Sequence, residues 1–205
     1  RTLKLENECD PIDYSNVNAD GHIVSPIYHE ISDDVLKNIK DDSNFLFIDP
    51  QGFLRQKDSD NNIVLQKSNL DLSDVNAIKI NPEEGQNIVD GSNDEMMLAL
   101  QKKGIEYVLL TNKTDVSLLV KDRIYSLKLP NKKIHDTTGI GDIFCSTFTC
   151  TMLKEKDFLW ALCFAAGSAQ AALESNNVGL QKIPKKGMVE NNASYFYNLV
   201  DFRDL

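Results

Sequence analysis

The sequence predicts an α/β fold, a doubly wound and mostly parallel sheet flanked by helices. Short β-branched or aromatic apolar runs alternate along the chain with amphipathic segments of period near 3.6. Glycine, proline and acidic residues cluster in turns after several of these runs, at the carboxyl ends of strands where such sheets place ligands.

The strands are expected over His22 to Val24, Phe45 to Ile48, Ala77 to Ile80, Tyr107 to Leu110, Ser117 to Val120 and Arg123 to Leu127, the last two joined as a hairpin about Lys121 and Asp122. Helices are expected over Asp34 to Lys40, Asn93 to Lys103, Asp142 to Leu153, Phe158 to Leu173 and Met188 to Leu199. Ser92 with Glu95 three residues later is a capping box, and Gly104 stops the helix that it opens. Between Arg55 and Asp74 the chain is polar and reads as a surface excursion around the short run Ile63 to Leu65. At the start, Leu3 and Leu5 alternate with charged residues and allow an edge strand.

The 205 residues suit one domain with a substantial core. No apolar run approaches the length needed to span a bilayer. Thirty-one acidic residues against 22 basic ones give a net charge of −9, which opposes binding to nucleic acid. An anionic ligand would have to be held by local backbone amides and a few cations. Cys9, Cys145, Cys150 and Cys163 lack metal-ligand spacing and fit reduced thiols in a cytoplasmic protein, three of them in apolar stretches. His22, His29 and His135 are scattered and suggest no catalytic triad.

Chemistry concentrates in His135-Asp136-Thr137-Thr138-Gly139-Ile140-Gly141-Asp142-Ile143-Phe144, which leads into an apolar helix. Gly139 and Gly141 let the backbone turn tightly with N–H groups exposed at the positive end of the helix dipole. Such a turn can hold phosphoryl oxygens, with Asp142 beside them as a proton acceptor. A plain strand-to-helix turn with a dipole-matched acid explains the same letters equally well.

Asp136-Thr137-Thr138-Gly139-Ile140-Gly141-Asp142 closely resembles the signature of the ribokinase, or phosphofructokinase B, superfamily of carbohydrate kinases, with isoleucine at 140 where alanine is usual. The resemblance implies a ribokinase-like fold and an ATP-dependent kinase acting on a hydroxyl of a sugar, polyol or nucleoside. It makes Asp142 the catalytic base and Gly139, Ile140 and Gly141 the anion hole, with Thr138 beside the nucleotide. Because the hole uses main-chain amides, the isoleucine need not harm it.

Further parts of the chain fit the same resemblance. Asn81-Pro82-Glu83-Glu84 looks like the family's Asn-X-X-Glu motif, which implies Asn81 and Glu84 for Mg2+, although an acidic first helical turn after proline accounts for it without function. Thr111-Asn112-Lys113 stands where Thr-X-Gly is usual, and Asn176 lies in the turn that approaches adenine; Thr111 and Asn176 are the nucleotide candidates, while Lys113 reads as a solvated loop lysine. The small-residue helix Phe164 to Ala172 resembles the one that follows the signature, and close helix packing explains it fully. Asp49-Pro50-Gln51-Gly52-Phe53-Leu54-Arg55 looks like an inositol kinase-like or archaeal sugar kinase-like subgroup, with Asp49 and Arg55 facing substrate or pairing with each other.

The similarity runs from about Gly21 to Gly179. Full members of the family carry a further N-terminal portion, the first strand and a small β lid, which is largely absent here; Arg1, not methionine, opens the chain. The expected partner is a small molecule, with a homodimer left open. Two rivals stand beside the sugar kinase: a hydroxymethylpyrimidine or pyridoxal kinase of the same fold, and a non-catalytic nucleotide-binding module.

Overall fold

A computed structural model of the chain describes residues 3–130 and 136–205, so His135 lies outside the described residues. The chain divides into two compact units, Arg1–Leu110 and Thr111–Leu205. No linker marks the division, which falls inside a strand, Tyr107–Asn112.

The first unit alternates strands and helices: β1 (His22–Val24), α1 (Asp33–Asp42), β2 (Leu46–Ile48), α2 (Gln51–Leu54), β3 (Arg55–Lys57), β4 (Ile63–Leu65), β5 (Ala77–Ile80), α3 (Pro82–Gln86), α4 (Asn93–Lys102) and the start of β6 (Tyr107–Asn112). Its sheet order is β1-β2-β5-β6, and each of these pairs is parallel. Every residue of β2 and β5 is buried, as expected of parallel strands covered on both faces. Leu36 and Ile39 of α1 and Met96, Met97 and Leu100 of α4 complete the core.

Local signals explain the helix starts. The Ser32 hydroxyl accepts the Val35 N–H at 3.3 Å ahead of Asp33 and Asp34. The capping box read at Ser92 and Glu95 is present, and Gly104, at φ 104°, follows that helix.

The polar stretch after Arg55 is more ordered than its composition suggested. β3 and β4 form an antiparallel ribbon, with Asp58 organising its turn: Oδ1 accepts the N–H groups of Asp60 and Asn62, each at 2.8 Å. Near the start of the chain, Lys4 forms an antiparallel bridge with Asn62.

The second unit holds β7 (Asp115–Val120), β8 (Arg123–Lys128), α5 (Ile140–Glu155), α6 (Phe158–Leu173), α7 (Lys186–Tyr197) and β9 (Asp201–Asp204). β7 and β8 form the expected hairpin, turning at Lys121 with φ 55°. β9 adds antiparallel to β8, a strand the sequence did not announce. All four of its residues are exposed, so only pairing defines it.

Helix α6 is buried along Ala165, Ala166, Ala169 and Ala172, and it packs between α5 and α7. Asn192 of α7 donates to the Gly167 carbonyl at 3.1 Å, a close approach that the small side chains permit. Cys145 and Cys163 are buried, Cys9 and Cys150 are exposed, and all four are free thiols. Among the described residues no helix is long and apolar enough to cross a membrane.

One glycine in the first unit is required by space. A Cβ on Gly52 would stand 2.3 Å from the Pro26 carbonyl oxygen, a backbone atom that cannot rotate away. Gly52→Ala is expected to destabilise the protein by about 1–3 kcal/mol through overpacking. Chemical denaturation should show a lower midpoint with an unchanged slope.

Candidate functional site

In the second unit, α5 starts from a glycine in the left-handed region. Gly139 is its N-cap at φ 76°, a conformation that costs an L-residue about 1–2 kcal/mol. Nothing lies within 4 Å of where a Cβ would be, so conformation and not space requires glycine there. The Ile140 N–H turns back to the Thr137 carbonyl at 3.3 Å, a long bond. Asp142 lies in the first helical turn and is exposed. The N–H groups that open a helix lack partners inside it, so this turn presents positive potential.

Asp136 organises the turn. Its Oδ1 accepts the Thr138 N–H at 3.0 Å and the Thr138 hydroxyl at 2.7 Å. Oδ2 accepts from the Lys182 ammonium at 3.1 Å. The two bonds from Thr138, and then the one from Lys182, hold the Asp136 carboxyl well below the usual carboxylate range. Thr138 therefore serves the loop with both its N–H and its hydroxyl.

Lys182 was invisible to sequence reasoning. It ends a short 3₁₀ helix (Gly179–Lys182), 3% exposed, and also donates to the carbonyls of Asp136 at 2.7 Å and Thr138 at 3.1 Å. Thr111 sits half-buried in β6, and the following turn has Lys113 at φ 55° where glycine was expected. Asn176 is exposed between α6 and the 3₁₀ helix.

The remaining candidates belong to the first unit. Asn81 and Glu84 form a capping box that opens α3: the Asn81 N–H donates to Glu84 Oε2 at 2.8 Å, and the Glu84 N–H donates to Asn81 Oδ1 at 2.9 Å. Glu84 is only 1% exposed, and Gln51 donates to its Oε1 at 3.3 Å. Burial pushes the Glu84 carboxyl up, against the pull of Lys79.

Asp49 pairs with Lys79, not Arg55. The Lys79 ammonium lies 2.5 Å from Asp49 Oδ2, and the pair ties the end of β2 to β5 inside the protein. Lys79 is the one charge in the run Ala-Ile-Lys-Ile, a signal the strand pattern offered. Arg55 is half-buried and donates to the Ile27 carbonyl at 3.0 Å. Burial lowers its pKa, while Glu84, Asp49 and Glu30 oppose that shift.

Magnesium takes oxygen donors that are free to reach it or its waters. Both Glu84 oxygens already accept hydrogen bonds inside the protein, and among the described residues no group of three His, Cys, Asp or Glu could hold a metal. Asn81 and Glu84 as arranged do not fit direct coordination. A cleft of about 400 Å³ in the first unit, lined by Asp33, Lys40 and Asp71 among others, includes none of the candidate site residues.

The fold and the turn that opens α5 define a class: α/β proteins in which a left-handed glycine opens a helix beside an exposed first-turn carboxylate. The family model of pfkB family carbohydrate kinases matches residues 47–186, and the chain belongs to that family. None of the curated proteins matches the sequence.

Solved structures share the fold. A pyrophosphate-dependent kinase of the ribokinase family, complexed with a pyrophosphate analogue and myo-inositol, is 21% identical with a TM-score of 0.74; the match covers 84% of this chain and 66% of that one. A pyrophosphate-dependent myo-inositol-1 kinase is 19% identical with a TM-score of 0.78, covering 96% of this chain and 71% of that one. Arabidopsis thaliana ribokinase, complexed with ribose and ATP, is 20% identical with a TM-score of 0.64, covering 83% and 55%. The chain thus spans roughly half to seven-tenths of these proteins.

The buried Glu84 carboxyl predicts a pH dependence. A carboxyl raised in the folded state contributes stability that is present below its unfolded pKa and is lost as pH rises through the folded value. Glu84→Gln carries no such group. Urea titrations from pH 4 to pH 8 should show wild-type stability falling relative to Glu84→Gln as pH rises; a constant difference would contradict this.

Proposed function

We propose that this chain is the nucleotide-binding and catalytic part of a kinase that transfers a phosphoryl group to a hydroxyl of a sugar, polyol or nucleoside. The observation that carries the reading is the turn Asp136 to Asp142, held by Asp136 and capped by a left-handed Gly139 at the start of a 16-residue helix. Membership of the pfkB family supports the same reaction class.

In this reading the amides of Gly139, Ile140 and Gly141 receive the charge that develops on the transferred group, the Ile140 N–H exchanging its long bond to Thr137 for the anion. Asp142, exposed in the first turn, accepts the proton of the attacking hydroxyl. Thr111, Thr138 and Asn176 serve the nucleotide. Asp49 and Arg55 act toward the acceptor, Asp49 through the fixed Lys79 pair. Magnesium would screen phosphate charge, carried on the donor's own phosphates. Positioning and electrostatics supply most of the acceleration.

ATP as the donor is supported by the family resemblance and by the ATP complex of the Arabidopsis thaliana ribokinase. Pyrophosphate is the second reading, favoured by the two inositol-related kinases. The test is turnover of the complete protein with each donor and a panel of sugars, polyols, nucleosides, hydroxymethylpyrimidine and pyridoxal. Asp142→Asn is expected to lower kcat by about 10²–10⁴ with donor binding kept. Wild-type turnover in that variant sinks the base assignment, and donor binding without any turnover by the wild type identifies a non-catalytic module.

A further inference from the structure

We infer that Lys182 is a tethered monovalent cation that positions the phosphoryl-transfer turn by orienting its peptide groups. The inference rests on the kinase reading above and adds to it a positioning residue from a distant part of the chain.

The ammonium has three N–H bonds and meets three oxygens: the Asp136 carbonyl at 2.7 Å, Asp136 Oδ2 at 3.1 Å and the Thr138 carbonyl at 3.1 Å. A buried ammonium is tolerated only when paired and fully hydrogen-bonded, and both conditions are met here. Its side chain is 2% exposed, so water competes little for these bonds.

The consequence follows from peptide geometry. In a planar trans peptide the C=O and the next residue's N–H point in opposite directions. Lys182 draws the Thr138 carbonyl toward itself and so turns the Gly139 N–H the other way. The same pull on the Asp136 carbonyl turns the Thr137 N–H outward. Lys182 thereby aims an amide of the anion hole without touching the anion. Two carbonyls and a carboxylate are also the donors that a small free cation would take, and the lysine stem supplies that cation permanently.

The Lys182→Ala variant removes the ammonium and leaves its cage. In the complete protein, kcat is expected to fall by about 10²-fold, the size of a geometric misplacement at a reacting centre, with the KM for the acceptor little changed. Ammonium chloride should restore a measurable part of the loss, whereas tetramethylammonium chloride at equal ionic strength should not. Neither salt should raise wild-type turnover.

A folded Lys182→Ala protein with wild-type kcat, or with a loss that ammonium does not repair, overturns the inference. Lys182→Met, which keeps the stem's packing without the charge, is run in parallel. Failure of both variants to fold with or without ammonium, followed by circular dichroism, also overturns it, because Lys182 then serves the fold alone. Calorimetry with inorganic pyrophosphate separates this outcome from failure of the kinase reading. A wild type that binds pyrophosphate but turns nothing over ends that reading, while weaker binding in Lys182→Ala, restored by ammonium, still supports the role given to Lys182.

Discussion

The site in the second unit depends on a single carboxylate. Asp136 binds Thr138 through one oxygen and Lys182 through the other, so a turn that follows the hairpin is tied to a segment 46 residues further along. A left-handed glycine at the helix start is costly to hold in a flexible loop, because every ordered residue gives up conformational entropy. Charge-assisted bonds at both ends of one short side chain offset that cost locally. The helix dipole then acts from a fixed origin.

The first unit uses buried charge differently. Asp49 and Lys79 join neighbouring parallel strands at their ends, and Glu84 closes a capping box with Gln51 as an added donor. Buried pairs of this kind add little net stability, yet breaking one leaves an uncompensated charge. They fix the turns after β2 and β5 more than they strengthen the core. For an acidic chain, this places negative charge inside the protein in neutralised form.

Much of this architecture could be read from residue order. α6 was read with its observed bounds, and β1 and β5 likewise, because long apolar periodicity and buried runs report burial directly. The capping box of α4 was legible because its signal is local. The β3–β4 ribbon was read as a loop because its turn residues dominate the composition, and β9 was missed because its exposed residues carry no alternation. Asp49 was read as facing substrate or pairing with Arg55, six residues away, whereas the cation it pairs with lies thirty residues on in a neighbouring strand.

What the sequence determined by itself is the turn from Asp136 to Asp142: two glycines, an aspartate before two threonines and a first-turn acid are local instructions, interpretable wherever that segment sits. The alternation of strand and helix was determined in the same way. Only the tertiary structure decided which cation meets Asp136, that Glu84 faces inward and that Lys79 neutralises Asp49. Those pairings join residues distant in the chain, and a lysine in a polar stretch such as Gln181-Lys182 looks like any solvated lysine until folding removes it from water.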